Sequence, residues 1–254
     1  ATLFNNTGTV TLGDGADTFN FNGGLTATTP TSVTFQGFIT TDDAAVVIGD
    51  LILAAAASIV TDDTNGGAIT IGTIEGAGIN LILQANTQTV TVNGAVGAGG
   101  AIGTLTLQDA ASTGAVTFNA NVDAAGITTA VGAYDLSLLG TTTNIANATT
   151  FINTGLLTLG GLGDTVTFDD GVTRAVGTTT VGGSIVTTGD AMTFGAVTLS
   201  AGTTFDTGNA AGGIMNIGDI ASVGNSITLD SGSAAGATMT VGAIADISGG
   251  LTLD

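Results

Sequence analysis

The chain has 254 residues, 43% of them hydrophobic, and a net charge of −19, with one cation, Arg174, against nineteen Asp and Glu75. Without basic side chains to displace counterions it is excluded as a nucleic-acid binder and disfavoured at anionic membrane surfaces. Without His or Cys it has no nucleophilic triad, zinc site or disulfide. No run of eighteen apolar residues is present, so no membrane-spanning helix and no membrane insertion are expected.

In chain order the sequence reads as a series of very short strands. Apolar residues alternate with Thr, Ser or Asn at 9–12, 32–35, 80–83, 89–92, 103–107, 116–118, 135–139, 156–159, 165–168, 197–199, 226–229 and 238–241. A period of two over three to five residues places one face inside and the other in water. Turn punctuation follows each segment, as at Asn93-Gly94, Gly160-Gly161 and Gly212-Gly213. No helical period of useful length occurs. The most apolar window, 46–60, is interrupted by Asp50 and Ser58.

The segment at 7–26, TGTVTLGDGADTFNFNGGLT, recurs at 154–173 as TGLLTLGGLGDTVTFDDGVT, at an offset of 147. The match continues at an offset of 146, where 39–74 runs beside 185–220. The chain therefore holds one unit, residues 1–147, and an incomplete second, residues 148–254, with no Pro or Gly linker between them. Long-period self-similarity marks an array built by stacking. A sandwich would need antiparallel hairpins and a closed strand count. Short strands, many glycine corners and uninterrupted passage across residue 147 favour a parallel β-solenoid instead, each coil touching only its neighbours.

The expected fold is thus all-β, a right-handed parallel β-helix of roughly 20 residues per coil and roughly 12–13 coils, on the order of 60 Å long. Val90, Val92, Leu105 and Leu107 are expected inside, Thr91 and Thr106 outside. The two copies should be related by a shift of about seven coils along one axis, roughly 34 Å.

Segments such as GGAITIGTIEGAGINLILQANTQTVTVNGAVG (66–97) and GAVTFNANVDAAGITT (114–129) resemble the repeats of filamentous-haemagglutinin-type giant bacterial surface adhesins. The resemblance covers essentially the whole chain and carries no catalytic signature. It implies an extracellular or cell-surface β-helical fibre: an adhesin stalk, filament or matrix protein.

Gly13-Asp14-Gly15-Ala16-Asp17-Thr18-Phe19 fits the core of a calcium-binding nonapeptide, in which the ion sits between stacked turns. Asp14 and Asp17 are the candidate ligands. The second copy keeps Asp17 as Asp164 but has Gly161 for Asp14 and Leu162 for Gly15, so a corner turn is the competing reading. No cofactor is otherwise required. Asp42-Asp43, Asp62-Asp63 and Asp169-Asp170 are paired acids that the repeat does not keep, as expected of solvated corners. Asp169, Asp170 and Arg174 could lie together, as a small ion pair or as the remnant of a polysaccharide-cleaving site. With Tyr134 the lone tyrosine and no His, catalysis is not expected. Expected partners are more of the same fold, by end-to-end association or continuation of the chain, since neither end carries a capping helix or charge cluster. A face that meets glycan or a cell surface is the second reading.

Overall fold

A computed structural model describes residues 1–61, 65–108 and 114–254. Its described residues hold 29 strands and no helix, and every ladder between named strands is parallel. Each turn has three strand positions, one per face; the long strands at 33–40, 51–60, 123–129, 179–187 and 197–206 each cover two positions, and Val96 holds one as an isolated bridge. Successive turns stack in register, so the chain is a three-faced β-solenoid.

Each face has a column of inward side chains that can be followed through the pairings. On the first face Leu25 meets Val46, then Ile69, Val90, Val116, Leu136 and Leu157. On the second, Val10 meets Val33, Leu51, Ile74, Val96 and Val122, and the column resumes through Val166, Ile185, Phe205 and Leu229. On the third, Phe19 meets Ile39, Ile59, Leu83, Leu107 and Thr129. Nearly all of these residues are fully buried in one continuous core. Burying such a side chain is worth about 1.5–3 kcal/mol, and each turn lays down several. The alternation predicted for Val90, Val92, Leu105 and Leu107 holds, with Thr91 and Thr106 half-exposed on the outer surface.

The turn is longer than expected. It averages roughly 22 residues over about 11 turns, not 20 over 12–13, which gives a rod of about 50 Å. The spacing between stacked strands varies with the corners. One second-face step takes eighteen residues, from Val33 to Leu51. Another takes twenty-six, from Val96 to Val122.

The strand count also corrects the relation between the two copies. Thr11 lies on the second face, in the pair Thr11↔Thr34, whereas its counterpart Thr158 lies on the first, in the pair Thr158↔Thr180. Twenty strand positions separate them, and twenty strands at three per turn are six and two-thirds turns. The copies are therefore related by a screw: about 32 Å along the axis combined with a third of a turn about it, not by a translation of whole coils.

Local geometry survives that rotation. Gly24 (φ 91) and Gly171 (φ 97) both sit where a Cβ would come within 2.7 Å of a carbonyl oxygen, that of Ala45 or of Ala191. Gly37 (φ 93) and Gly183 (φ 74) both lie 2.3 Å, by the same measure, from the carbonyl of Asp17 or Asp164. Such positions admit glycine because both the left-handed backbone and the close approach forbid a side chain. Thr41 donates its hydroxyl to Ala44 O at 2.5 Å, and Thr187 donates to Asp190 O at 2.7 Å. Phe4 meets Phe21 edge-to-face at 6.5 Å, and Phe151 meets Phe168 the same way at 5.8 Å.

Candidate functional site

Asp14 and Asp17 are brought together at the corner between the second and third faces. The Asp14 N–H donates to Asp17 Oδ2 at 3.0 Å, closing the turn on itself, and both residues are exposed. The next turn meets this corner with backbone: Phe38 N–H donates to Asp17 O at 2.8 Å, and Gly37 packs over Asp17. The second copy keeps that contact, with Ser184 N–H donating to Asp164 O at 2.8 Å. A calcium ion between turns would need oxygen ligands from the neighbouring turn. Gln36 and Gly37 stand there, so the neighbouring turn offers carbonyl oxygens and no carboxylate opposite Asp14 and Asp17. Among the described residues no group of three or more acids is close enough to hold a metal.

The remaining corner acids act between turns. Asp43, in a left-handed conformation (φ 52), accepts from Gly66 N–H at 3.0 Å and Asn65 Nδ2 at 3.2 Å. Asp50 Oδ1 accepts from the Thr73 hydroxyl at 2.8 Å, and Glu75 Oε2 from Gly99 N–H at 3.0 Å. Asp135 accepts from Leu156 N–H at 2.7 Å, and Asp219 from Ala243 N–H at 2.9 Å. Asn80 and Asn121 do the same for Thr104 and Thr142. In each case a polar side chain at a corner or strand end satisfies a donor one turn on. Asp42 and Asp170 are exposed. Asp62-Asp63 lie outside the described residues.

Arg174 does not join Asp169 and Asp170. Val172 and Arg174 have the same strand parity and both point inward, and Arg174 is 1% exposed. It continues the third-face column between Phe151 and Phe194, its strand pairing with 192–194 above and 149–150 below. The guanidinium reaches the corner of the preceding turn. There Nη1 donates to the main-chain oxygen of Asn153 and, at 2.9 Å, to Asn153 Oδ1, and Nη2 donates to Gly155 O at 2.6 Å. Gly177 (φ 76) leaves the space that Nη2 fills. Burial lowers the Arg174 pKa from its ordinary value, partly offset by Tyr134. Asn153 is itself held by Tyr134 O at 3.1 Å. No carboxylate of the described residues accepts from this guanidinium, and Nε has no partner among them. The guanidinium is thus enclosed and bonded to main-chain and amide oxygens.

One arrangement was missed in the sequence. Asp206 pairs with Asp230 on successive turns, and Asp254 follows one turn on at the same spacing of 24. The three line a groove of about 440 Å³ with Gly208, Asn209, Gly232 and Ser233. Its signal was legible as FDTGN at 205–209 and LDSGS at 229–233. Asp206 Oδ1 and Asp230 Oδ1 each accept from an N–H two residues on, at 2.7 and 2.8 Å, so each closes its own corner.

Comparison of the chain with protein-family models, with curated proteins and with solved structures found no match. The chemistry of the molecule is thus read from its own geometry: a continuous apolar core, backbone-bonded corner acids and one enclosed cation.

Proposed function

We propose that this chain is a structural rod segment of an extracellular or cell-surface fibre, serving as a stalk, filament or matrix element. The observation that carries the reading is the passage from the first copy to the second. First- and second-face ladders run through residues 136–168 without a domain break: Leu136 pairs with Leu157, and Thr142 with Thr165. The third-face ladder is interrupted only locally, where the Thr129 hydroxyl accepts the N–H of Ile152 at 2.9 Å. A unit that follows itself this way adds length without a linker, and in such solenoids stability sums along the rod. The enclosed Arg174 and the backbone-bonded acids support a framework role over polysaccharide cleavage, which needs two opposed, accessible carboxyl groups. The resemblance to giant bacterial adhesins is what points outside the cell.

Electron microscopy of the native full-length polypeptide tests this. The expected image is a thin, unbranched filament whose features recur about every 32 Å with a third of a turn between them. A compact particle, or turnover of an acidic polysaccharide by the purified chain, would sink the reading. Carbohydrate contact is the alternative. Phe38 is the exposed aromatic among the described residues, 45% accessible, so a glycan array should give no strong signal.

A further inference from the structure

The second face differs from the other two in charge. On the second face, outward positions carry Asp50, Glu75, Asp123, Asp206 and Asp230. The first face is different. Its central outward column runs Thr70, Thr91, Thr117, Ser137, Thr158 and Thr180, each paired directly with the next and each half-exposed. The positions two before and two after each of these are uncharged, apart from Asp135, whose Oδ1 is taken by Leu156 N–H. The third face is also neutral, but Phe38 protrudes from it and its ladder is interrupted at Thr129.

We propose that the first face is a lateral self-association surface, on which a second copy of this chain docks by its own first face. The idea rests on the rod reading above and adds to it the way rods bundle. Three features favour a second copy as the occupant. A ladder of identical side chains is corrugated at the turn spacing, about 4.8 Å, and a second copy has that spacing by construction. Each hydroxyl both donates and accepts, so the surface is complementary to itself, and identical side chains in register form dry, interdigitated contacts. The area also suffices. The threonine and serine rungs span only about 24 Å, but the same column continues through Val47 and Thr26 at one end and Thr198 and Ala221 at the other. About 45 Å of first face by about 15 Å of strand is roughly 700 Å² per copy, or about 1,400 Å² in total, within the range of stable interfaces. A twofold arrangement makes the contact closed and isologous, and it leaves both acidic second faces turned away from the seam, where they do not repel.

Sedimentation equilibrium of the purified chain, with circular dichroism to confirm folding, is the test. The wild type should show a concentration-dependent dimer. The double variant Thr117→Asp/Thr158→Asp should raise the dissociation constant at least tenfold with its β spectrum unchanged. The control Thr173→Asp/Thr193→Asp, on the outward column of the third face, should leave it unchanged. The chain has no cysteine, so Ser137→Cys, near the middle of the ladder, should give a disulfide-linked dimer under oxidant while Thr193→Cys stays monomeric. A wild type that remains monomeric at millimolar concentration overturns the proposal, as does a dimer broken by the third-face variant alone. Retention on an insoluble neutral polysaccharide, lost in the first-face variant while the chain stays monomeric, overturns it in favour of a glycan-binding face. These failures leave the rod reading standing if the native polypeptide is filamentous. A compact native particle defeats the rod reading whatever the dimer does.

Discussion

The two copies of the repeated sequence make the same corners on different faces of the rod. Phe4 and Phe21 in the first copy meet edge-to-face. Phe151 and Phe168 in the second copy make the same edge-to-face pair and are fully buried between turns. Ala27, between Phe4 and Ile48 on the first face, becomes Arg174, between Phe151 and Phe194 on the third. Local backbone geometry thus follows the local sequence through a rotation of a third of a turn. The tolerance of a charged side chain in the core follows the turns above and below.

The largest expected effect breaks the shared corner. Gly183→Val places a branched Cβ against the Asp164 carbonyl in a left-handed backbone, and should cost about 4 kcal/mol. Gly37→Val should cost about the same. Urea unfolding that separates the two by more than about 2 kcal/mol would show that the copies are not locally equivalent.

Burial is tested next. Phe168→Ala should lose about 4 kcal/mol, since it empties an enclosed site. A loss below about 2 kcal/mol in urea unfolding would contradict that enclosure. For the charged core, Arg174→Ala is expected to lower stability by about 3 kcal/mol, through an unfilled void and three acceptors on Asn153 and Gly155 left without their donor. Arg174→Lys should recover only part of this, because an ammonium cannot fork between Asn153 and Gly155. Full recovery in thermal melts would mean that the charge alone matters.

The smallest effects concern the calcium-like corner. Asp17→Ala should cost about 1 kcal/mol by opening the turn to Asp14. Asp164→Ala should cost no more, since the N–H of Asp164 already donates to Gly161 O at 3.1 Å. A chelator should leave the unfolding midpoint unchanged. A clear drop on chelation, restored by added calcium and absent in Asp17→Ala, would turn this corner from a turn into a metal site.

Much of the molecule was legible in the sequence, and for a simple reason. Strand, face and burial parity depend on neighbours one and two residues away, so alternation alone put Val90, Val92, Leu105 and Leu107 inside. The same parity, read from Val172, pointed Arg174 inward, and proximity to Asp169-Asp170 along the chain was the weaker guide. The kept glycines, Gly24/Gly171 and Gly37/Gly183, marked corners that recur because a left-handed backbone pressed on a carbonyl admits little else. What the tertiary structure decided was the stacking. Corner length varies from turn to turn, so neither the 22-residue average nor the six and two-thirds turns per unit could be counted from the spacing of strands. The stacking also aligned Asp206 with Asp230, set Gln36 and Gly37 opposite Asp17, and gathered the threonines of the first face into one ladder. Each of these contacts joins residues about twenty positions apart, and their partners are set by how many residues the intervening corners absorb.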